Sequence, residues 1–142
     1  MTISASETIS KKPHLLVADD SALARKILAR QLSQAGYEVH EAQGGASALL
    51  RLIEEPVDLV IMDFIMEPMN GLEVLQRIRR IRTPLQLPVL MMSATRNPES
   101  VLRATDMGAN DFLLKPFSFE LLNSKIKLHL KLRDETGKSD RQ

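Results

Sequence analysis

Apolar and polar residues alternate along this chain in blocks that predict five strands and five helices. Short runs rich in Val, Ile and Leu are typical of strands covered on both faces, whereas apolar residues three and four apart indicate a helix with one buried face. Four strand signals are HLLVA from His14, VDLVIM from Val57, LPVLMM from Leu87 and NDFLL from Asn110. A fifth, YEVHEA from Tyr37, is more polar and is expected at a sheet edge.

The helix signals lie between and after these runs. The first helix is expected to begin at an N-cap on Ser21 and to stop at Gly36, and the last to run from Ser118 through about Leu132. Proline or glycine is expected to end the other three, at Pro56, Pro84 and Gly108. We expect Arg25 on an outer face. The apolar positions expected to face the core in the first three helices are Leu23, Ile27, Leu28 and Leu32; Leu49, Leu52 and Ile53; and Leu72, Leu75, Ile78 and Ile81.

Strands that alternate with helices predict an α/β domain: a doubly wound, five-stranded parallel sheet with helices on both faces. A length of 142 residues suits one domain. The expected domain spans residues 13–133, between polar, flexible tails at 1–12 and 134–142. With 44% hydrophobic and 26% charged residues, the composition is ordinary for a globular protein and argues against general disorder.

Charge and composition argue against several classes of partner. A formal net charge of +1 gives no global field toward nucleic acid or an acidic membrane, and the arginines near Arg79 read as a solvated face. No apolar run reaches the roughly 20 residues of a membrane span, and the first dozen residues lack the apolar centre of a signal peptide. The chain also has no cysteine. We therefore expect a cytoplasmic protein that contacts neither membrane nor nucleic acid directly.

Polar side chains follow four of the predicted strands. They are Asp19 and Asp20 after the first, Asp63 after the third, Ser93 after the fourth and Lys115 after the fifth. Parallel strands end at one edge of a sheet, and open α/β sheets bind their ligands there. We therefore expect these five side chains to share one crevice.

The chemistry of this set indicates a phosphoryl site. Three carboxylates in one crevice repel each other and need protons or a cation, and ligands that are all oxygens favour Mg²⁺. Lys115 and Ser93 can meet phosphoryl oxygens. Asp63 stands alone at the middle of the sheet, where a carboxylate can act as a nucleophile and form an acyl phosphate.

Four fragments resemble a known family in order and position. VADDS resembles the acidic pair of receiver domains of two-component response regulators, the group that includes the bacterial chemotaxis regulator. MDFIMEPMNG resembles their phosphoacceptor strand and loop, MSAT their hydroxyl switch position, and FLLKPF their lysine and proline. The resemblance covers roughly His14 to Arg133 and implies a flavodoxin-like strand order of 2-1-3-4-5.

The resemblance also implies roles for the site residues. Asp63 would accept a phosphoryl group from a histidine kinase or a histidine phosphotransfer protein. Asp20, Asp63 and the backbone carbonyl of Ile65 would ligate Mg²⁺, with Asp19 acting mostly through bound water. Lys115 would pair with the acyl phosphate, and its peptide bond to the next proline would be cis.

A signalling switch is the further implication. Ser93 would move toward the phosphoryl group while the ring of Phe112 turns inward, which reshapes the face of helix four, strand five and helix five for a downstream protein target. Phe112 stands where the family commonly has tyrosine, so no ring hydroxyl takes part. The loop has its proline one place later than usual, at Pro68. Ile65 would stand beside the path of an attacking water, so we expect slow self-hydrolysis.

The last helix carries two apolar stripes, one of Leu122, Ile126 and Leu130 and another of Leu121, Leu128 and Leu132. One stripe is expected to pack on the sheet. The other either widens the core contact or forms a partner face, including that of a homodimer.

Two further functions stay open at this point. An aspartyl-phosphate phosphatase of the haloacid dehalogenase type would need an acid and base two places after Asp63, where this chain has Ile65. A receiver-shaped interaction module that is not phosphorylated is the other. His14, His40 and His129 lie away from the expected crevice and are interpreted as structural.

Overall fold

Strands and helices alternate through the whole domain, as the sequence pattern predicts. The computed structural model describes residues 11–95 and 97–140. In chain order the elements are β1 (His14–Ala18), α1 (Ala22–Gln34), β2 (Glu38–Ala42), α2 (Gly45–Glu54), β3 (Leu59–Asp63), α3 (Gly71–Arg79), β4 (Val89–Ser93), α4 (Pro98–Asp106), β5 (Asp111–Leu114) and α5 (Phe119–Asp140).

The five strands form one sheet in the order β2-β1-β3-β4-β5, with every neighbouring pair parallel. This order confirms the doubly wound, flavodoxin-like architecture and places the polar strand β2 at an edge. Because parallel strands need crossover connections, the helices are distributed over both faces.

Alternate residues of the strands belong to two separate hydrophobic cores, one on each face of the sheet. Leu16 and Val60 belong to the core beneath α2, α3 and α4, whereas Leu15 and Ile61 belong to the core beneath α1 and α5. Since successive strand residues point to opposite faces, strands that are apolar throughout can be buried on both sides. The central strands β3 and β4 are buried at every position, including their final polar residues.

Several helix ends agree with the sequence signals. The Ser21 hydroxyl accepts a hydrogen bond from the N–H of Ala24, and the Asn70 side chain caps α3 in a capping box with Glu73. Gly36 ends α1 with a φ of 103°, a left-handed conformation that favours glycine.

Helix α1 is rotated relative to the prediction. Leu23 and Ile27 are 74% and 53% exposed, and Arg25 is 9% exposed. The guanidinium of Arg25 donates hydrogen bonds to the Asp19 carbonyl and to the Glu41 carboxylate, so its charge is partnered where it is buried. The assignment of Arg25 to an outer face, and of Leu23 and Ile27 to the core, was wrong.

The ends of α2 and α3 also differ from expectation. Ile53 and Ile81 are exposed rather than buried. Helix α3 ends at Arg79, well before Pro84, so Ile81 lies beyond the helix and cannot continue its inward face.

Helix α5 is longer than predicted and continues through Asp140. The polar sequence after Leu132 suggests a flexible tail from residue 134, but it contains no proline to end the helix. Arg133 ties this part of α5 to the sheet by donating hydrogen bonds to the carbonyl and carboxylate of Asp58. Residues 1–10 of the other expected tail, and residues 141–142, lie outside the described ranges. Within those ranges, no helix combines the length and apolar character needed to cross a membrane.

Candidate functional site

The side chains predicted to converge do lie at one edge of the sheet. Asp63 and Ser93 are the last residues of β3 and β4, and Asp19 and Lys115 directly follow β1 and β5. The strand registers, which pair Ala18 with Met62 and Ser93 with Leu114, bring these ends level. The residues are sheltered from solvent: Asp19 is 3%, Asp63 8% and Ser93 1% exposed.

Lys115 holds the two buried carboxylates together. Its Nζ donates to Asp63 Oδ2 at 2.5 Å and to Asp19 Oδ2 at 3.4 Å. The other oxygen of each carboxylate accepts a backbone N–H of the following loop, Asp63 from Ile65 at 3.0 Å and Asp19 from Ser21 at 2.9 Å. One oxygen of each carboxylate is thus fixed by its own loop, and the other faces the ammonium.

Burial and charge act in opposite directions on Lys115. Partial burial lowers the pKa of its ammonium, but the hydrogen bonds and negative charges of Asp63 and Asp19 outweigh that effect and raise the pKa overall. Lys115 is therefore a fixed positive charge in the site at neutral pH.

The charges at this edge do not balance. Asp19 and Asp63 bring two carboxylates to a single ammonium. Asp20, the residue after Asp19, adds an exposed carboxylate at the same end of β1, but within the described residues no hydrogen bond or ion pair joins it to them. In residues 11–95 and 97–140, no three His, Cys, Asp or Glu side chains form a ready-made metal cluster. One or two carboxylates with water and backbone oxygens form the usual Mg²⁺ shell, so the excess negative charge and the oxygen donors fit that ion.

The predicted switch residues lie close to the acceptor strand. The Ser93 hydroxyl accepts the N–H of Thr95 at 3.1 Å. Phe112 on β5 is half-buried, and its ring centroid lies 6.4 Å from that of Phe64, tilted by 60°. Phe64 directly follows Asp63, so an aromatic contact joins the predicted switch position to the loop after Asp63. Phe64 was not among the predicted site residues, although its place directly after Asp63 was a usable signal.

A second residue that sequence reasoning missed is Gly71, where the acceptor loop enters α3. Its N–H donates to the Phe64 carbonyl at 2.9 Å. A Cβ at this position would overlap the carbonyl oxygen of Asp63 and approach Met91 at 2.8 Å. Only glycine allows the loop to close this tightly behind Asp63. The Asn-Gly pair in the MDFIMEPMNG fragment was the available sign.

The backbone around the site matches one further expectation. The peptide bond between Lys115 and Pro116 is cis, as the family resemblance implied. The bond between Glu67 and Pro68, in the loop after Asp63, is cis as well, which was not predicted.

A shallow apolar surface adjoins Lys115. It is a cavity of about 550 Å³ between α1 and the segment after β5, lined in part by Ile27, Pro116 and Phe117 and reaching Asp19. Its apolar side chains lie next to Asp19 and Lys115.

The two apolar stripes of α5 differ in burial. Leu122, Ile126 and Leu130 are buried against the sheet, which confirms the packing prediction. The second stripe does not widen that contact, because its members Leu121, Leu128 and Leu132 are 46%, 50% and 43% exposed.

The three histidines take no part in the site. His14 Nδ1 lies 2.9 Å from His40 Nε2 across β1 and β2, and His129 Nε2 lies 3.0 Å from an Asp111 carboxylate oxygen. These contacts agree with the interpretation that all three are structural.

Comparison with known proteins identifies the family of this chain. Residues 15–127 match the family model described as the response regulator receiver domain. The phosphate regulon transcriptional regulatory protein PhoB of Pseudomonas aeruginosa is 29% identical over 89% of this chain and 54% of its own length. The two-component response regulator ORR3 of Oryza sativa subsp. indica is 34% identical over 74% of this chain and 81% of its own.

Solved structures give the same result. The chemotaxis protein CheY4 of Vibrio cholerae superimposes with a TM-score of 0.77 at 31% identity, covering 82% of this chain and 98% of that one. NtrX of Brucella abortus gives a TM-score of 0.84 at 30% identity, over 92% of this chain and 29% of its own. The chain spans about half the length of the first curated relatives it matches. Because the family model covers most of the chain and the fold agrees, the chain belongs to the response regulator receiver family.

Proposed function

We propose that this receiver domain is a phosphorylation-operated switch whose phosphoacceptor is Asp63. A histidine kinase or a histidine phosphotransfer protein would supply the phosphoryl group. The observation that carries the proposal is the bridge from Lys115 Nζ to the buried carboxylates of Asp63 and Asp19. This bridge supports the proposal because it holds a carboxylate that can act as a nucleophile next to a fixed positive charge, at the edge where open α/β sheets bind ligands.

The transfer replaces one bond to phosphorus by another. A carboxylate oxygen of Asp63 attacks the phosphorus of a phosphohistidine, the P–N bond breaks, and the imidazole nitrogen keeps the electron pair. The product is an acyl phosphate on Asp63. Lys115 can then move its hydrogen bond from the carboxylate to a phosphoryl oxygen, and the Ser93 hydroxyl can donate to another.

Magnesium completes the proposal. Asp20, Asp63 and the backbone carbonyl of Ile65 would hold the ion, with Asp19 acting through bound water. When bound, Mg²⁺ supplies positive charge to the phosphoryl oxygens. The excess of carboxylates over ammonium at this edge supports the assignment.

The surface beside Lys115 is the proposed docking site for the phosphodonor. Ile27 on α1 is 53% exposed and shares the shallow apolar cavity with Phe117, next to Asp19 and Lys115. A donor helix that packs there brings its histidine to the open side of the site. Ile27 was expected in the core, and its exposure supports a protein partner rather than a small-molecule donor alone.

The output face is proposed on α4, β5 and α5. Phosphorylation would draw Ser93 toward the new charge and let the Phe112 ring turn inward, away from its present contact with Phe64. The stripe of Leu121, Leu128 and Leu132 offers apolar area on this face to a downstream target or to a second copy. If the double change Leu128→Asp and Leu132→Asp leaves phosphorylation-dependent association intact, this stripe is not the face.

The structure gives less support to the two alternatives. A phosphatase of the haloacid dehalogenase type needs a second carboxylate where this chain has Ile65, which is 62% exposed and cannot exchange protons. The apolar Ile65 favours a slow self-hydrolysis instead, and Ile65→Asn is expected to shorten the phosphoryl half-life in a mass-spectrometric time course. A module that is not phosphorylated would not need the Lys115 bridge.

We propose that the chain acts in the cytoplasm and reads its signal through proteins. Among its relatives, RpaA of Synechocystis is named a DNA-binding regulator, but this chain covers 51% of that protein. The exposed arginines after α3 have no aromatic residue between them for base stacking. Direct nucleic-acid binding is therefore not proposed for these residues.

Intact-mass spectrometry with acetyl phosphate as the small phosphodonor tests the assignment. Wild-type protein with magnesium chloride should gain the mass of one phosphoryl group, and chelation of magnesium or the change Asp63→Asn should abolish the gain. Ser100→Ala, at a hydroxyl on α4 outside the site, is the matched control and should label normally. Continuous turnover of acetyl phosphate at an enzymatic rate would instead favour the phosphatase, and no labelling would favour the interaction module.

A further inference from the structure

An apolar groove lies between the end of α2 and the end of α3, away from the proposed phosphorylation site. Its cavity volume is about 500 Å³. The side chains that line it are Leu49, Leu52 and Ile53 from α2, and Arg77, Ile78, Arg80, Ile81, Arg82 and Leu87 from α3 and the segment before β4. We call this surface the α2–α3 groove.

The most exposed apolar side chains lie at this groove. Ile53 is 82% and Ile81 79% exposed, the highest values for large hydrophobic residues within the described parts of the chain. Ile78 and Leu87 form a buried floor, at 3% and 1% exposure. An exposed apolar rim above a formed floor is the arrangement of a surface that another molecule covers.

The charge at the groove has one sign. Arg77, Arg80 and Arg82 line it and are exposed, and no acidic residue is among the lining side chains. In the described ranges, none of the three forms an ion pair with a carboxylate. They differ in this respect from Arg79, whose guanidinium is occupied by backbone carbonyls and Asn110.

We infer that the α2–α3 groove binds an acidic amphipathic helix of a partner protein. Two helix ends form its walls, and an apolar helix face can insert between them with anchors one helical turn apart. Acidic residues on the flanks of that helix would pair with the three guanidinium groups, which suit carboxylates in bidentate geometry. Nucleic acid is disfavoured because the lining contains no aromatic side chain for base stacking.

The groove is separate from the proposed switch. Ile53 lies in the last turn of α2, Ile81 beyond the end of α3, and Leu87 before β4 begins. These positions belong to the edge where the strands begin, whereas Asp63, Ser93 and Lys115 lie where the strands end. The partner helix is therefore expected to bind equally well with and without phosphorylation, and would tether the receiver constitutively.

A peptide selection tests the chemistry of the partner. Wild-type protein is used to select from a display library of random peptides about 16 residues long, roughly four helical turns, with the double variant Ile53→Asp and Ile81→Asp as counter-selection. Enriched peptides should carry apolar residues at helical spacing together with Asp and Glu. No enrichment, or enrichment without an acidic preference, would overturn the inference.

Affinity measurements on the best selected peptide then locate the contact. By fluorescence anisotropy, Ile81→Asp and Arg80→Glu should each weaken binding by about tenfold or more. Leu102→Asp and Arg30→Glu, at exposed positions on α4 and α1, are the matched controls and should not. Because both isoleucines are exposed, the variants should stay folded, as circular dichroism would verify.

The remaining outcomes separate this inference from its competitors. Asp63→Asn should bind the peptide as the wild type does, so that a failure of the proposed phosphorylation would leave the result unaffected. If no peptide is selected, two other measurements assign the groove. Cosedimentation with phosphatidylglycerol vesicles that depends on Ile53 and Ile81 would assign it to lipid, and self-association in analytical ultracentrifugation that depends on them would assign it to a second copy. Either result would contradict the partner helix.

Discussion

Charged side chains lie at the edge where the strands begin and at the edge where they end, partly buried at the first and buried at the second, and the two edges arrange them differently. Where the strands begin, Arg79 donates to the carbonyls of Gly108 and Leu87 and to the Asn110 side chain. Asp58 at the same edge accepts from the His14 N–H and from Arg133. Where the strands end, two carboxylates share the one ammonium of Lys115.

This difference separates charges that hold the fold together from charges that remain available to a ligand. A buried charge whose hydrogen bonds are satisfied by fixed partners holds segments together, and its loss leaves those partners unsatisfied. Burial lowers the pKa of Arg79 to about 10, yet the group remains protonated at neutral pH among its carbonyl partners. An unbalanced set is instead ready for an additional cation or a phosphoryl group, and it is held in place at some cost to stability.

The largest expected effect is on the phosphorylation rate. Replacing Lys115 by Met removes the positive charge that faces the developing phosphoryl charge, so the initial rate of acetyl phosphate labelling should fall by about 10²–10³-fold, on the order of 3 kcal/mol. Intact-mass time courses with magnesium measure it. Lys125→Met removes a lysine that pairs with Asp111 outside the site and is the control, and equal rates for both variants would refute a role for Lys115.

A change at Arg79 should produce the largest loss of stability. Arg79→Ala leaves several carbonyls at the edge where the strands begin without their donor, so the free energy of unfolding should fall by about 3 kcal/mol. Urea denaturation measures it. The neighbouring Arg80 is exposed, so Arg80→Ala should change stability by less than about 0.5 kcal/mol. Similar losses for both would mean that Arg79 does not have this bridging role.

Neutralising one aspartate at each edge should change the free energy of unfolding in opposite directions. Asp63→Asn relieves repulsion between the site carboxylates and is expected to raise the free energy of unfolding by about 1 kcal/mol. Asp58→Asn weakens the pairing with Arg133 and is expected to lower it by about 1 kcal/mol. Parallel urea titrations without magnesium compare them. Destabilisation by both changes would contradict the distinction between the edges.

The smallest predicted effect is a loss of stability at acidic pH through Asp111. Burial raises the pKa of Asp111, but hydrogen bonds from His129, Lys125 and the Phe112 N–H outweigh it and lower the pKa overall. The stabilisation is therefore complete above the ordinary Asp pKa of about 3.9 and is lost as the pH falls through the lowered value. Because the group is only partly buried and solvent screens its charge, we expect about 0.5 kcal/mol.

Denaturation of wild type and Asp111→Asn as a function of pH measures this contribution. The difference in unfolding free energy between the two proteins should be constant from pH 6 to about pH 4 and shrink at lower pH. A difference that grows as the pH falls would reverse the sign assigned to Asp111.

The site was predictable from the sequence because its signals are local. Apolar runs mark the strands, and the polar residue that ends each run must lie at the carboxyl edge once the strands are parallel. Asp19, Asp63, Ser93 and Lys115 could therefore be grouped before any contact was known. The strand order was implied only by the family resemblance.

The features that the sequence did not predict depend on distant partners. Arg25 is buried because it meets the Asp19 carbonyl and Glu41, neither of which lies on its own helix. Arg79 differs from its neighbouring arginines only through carbonyls of later segments. The exposure of Ile81 follows from the early end of α3, since an apolar residue spaced three after Ile78 otherwise looks like a continuation of its stripe.

Chemical mapping of the phosphorylated residue is the decisive experiment for the role of Asp63. Protein labelled with acetyl phosphate and magnesium is reduced with borohydride, which converts an aspartyl phosphate into homoserine, and is then digested for tandem mass spectrometry. We expect homoserine at position 63, and none there when magnesium is chelated. Modification at Asp19 or Asp20, or no modification in protein that is folded by circular dichroism, would contradict it.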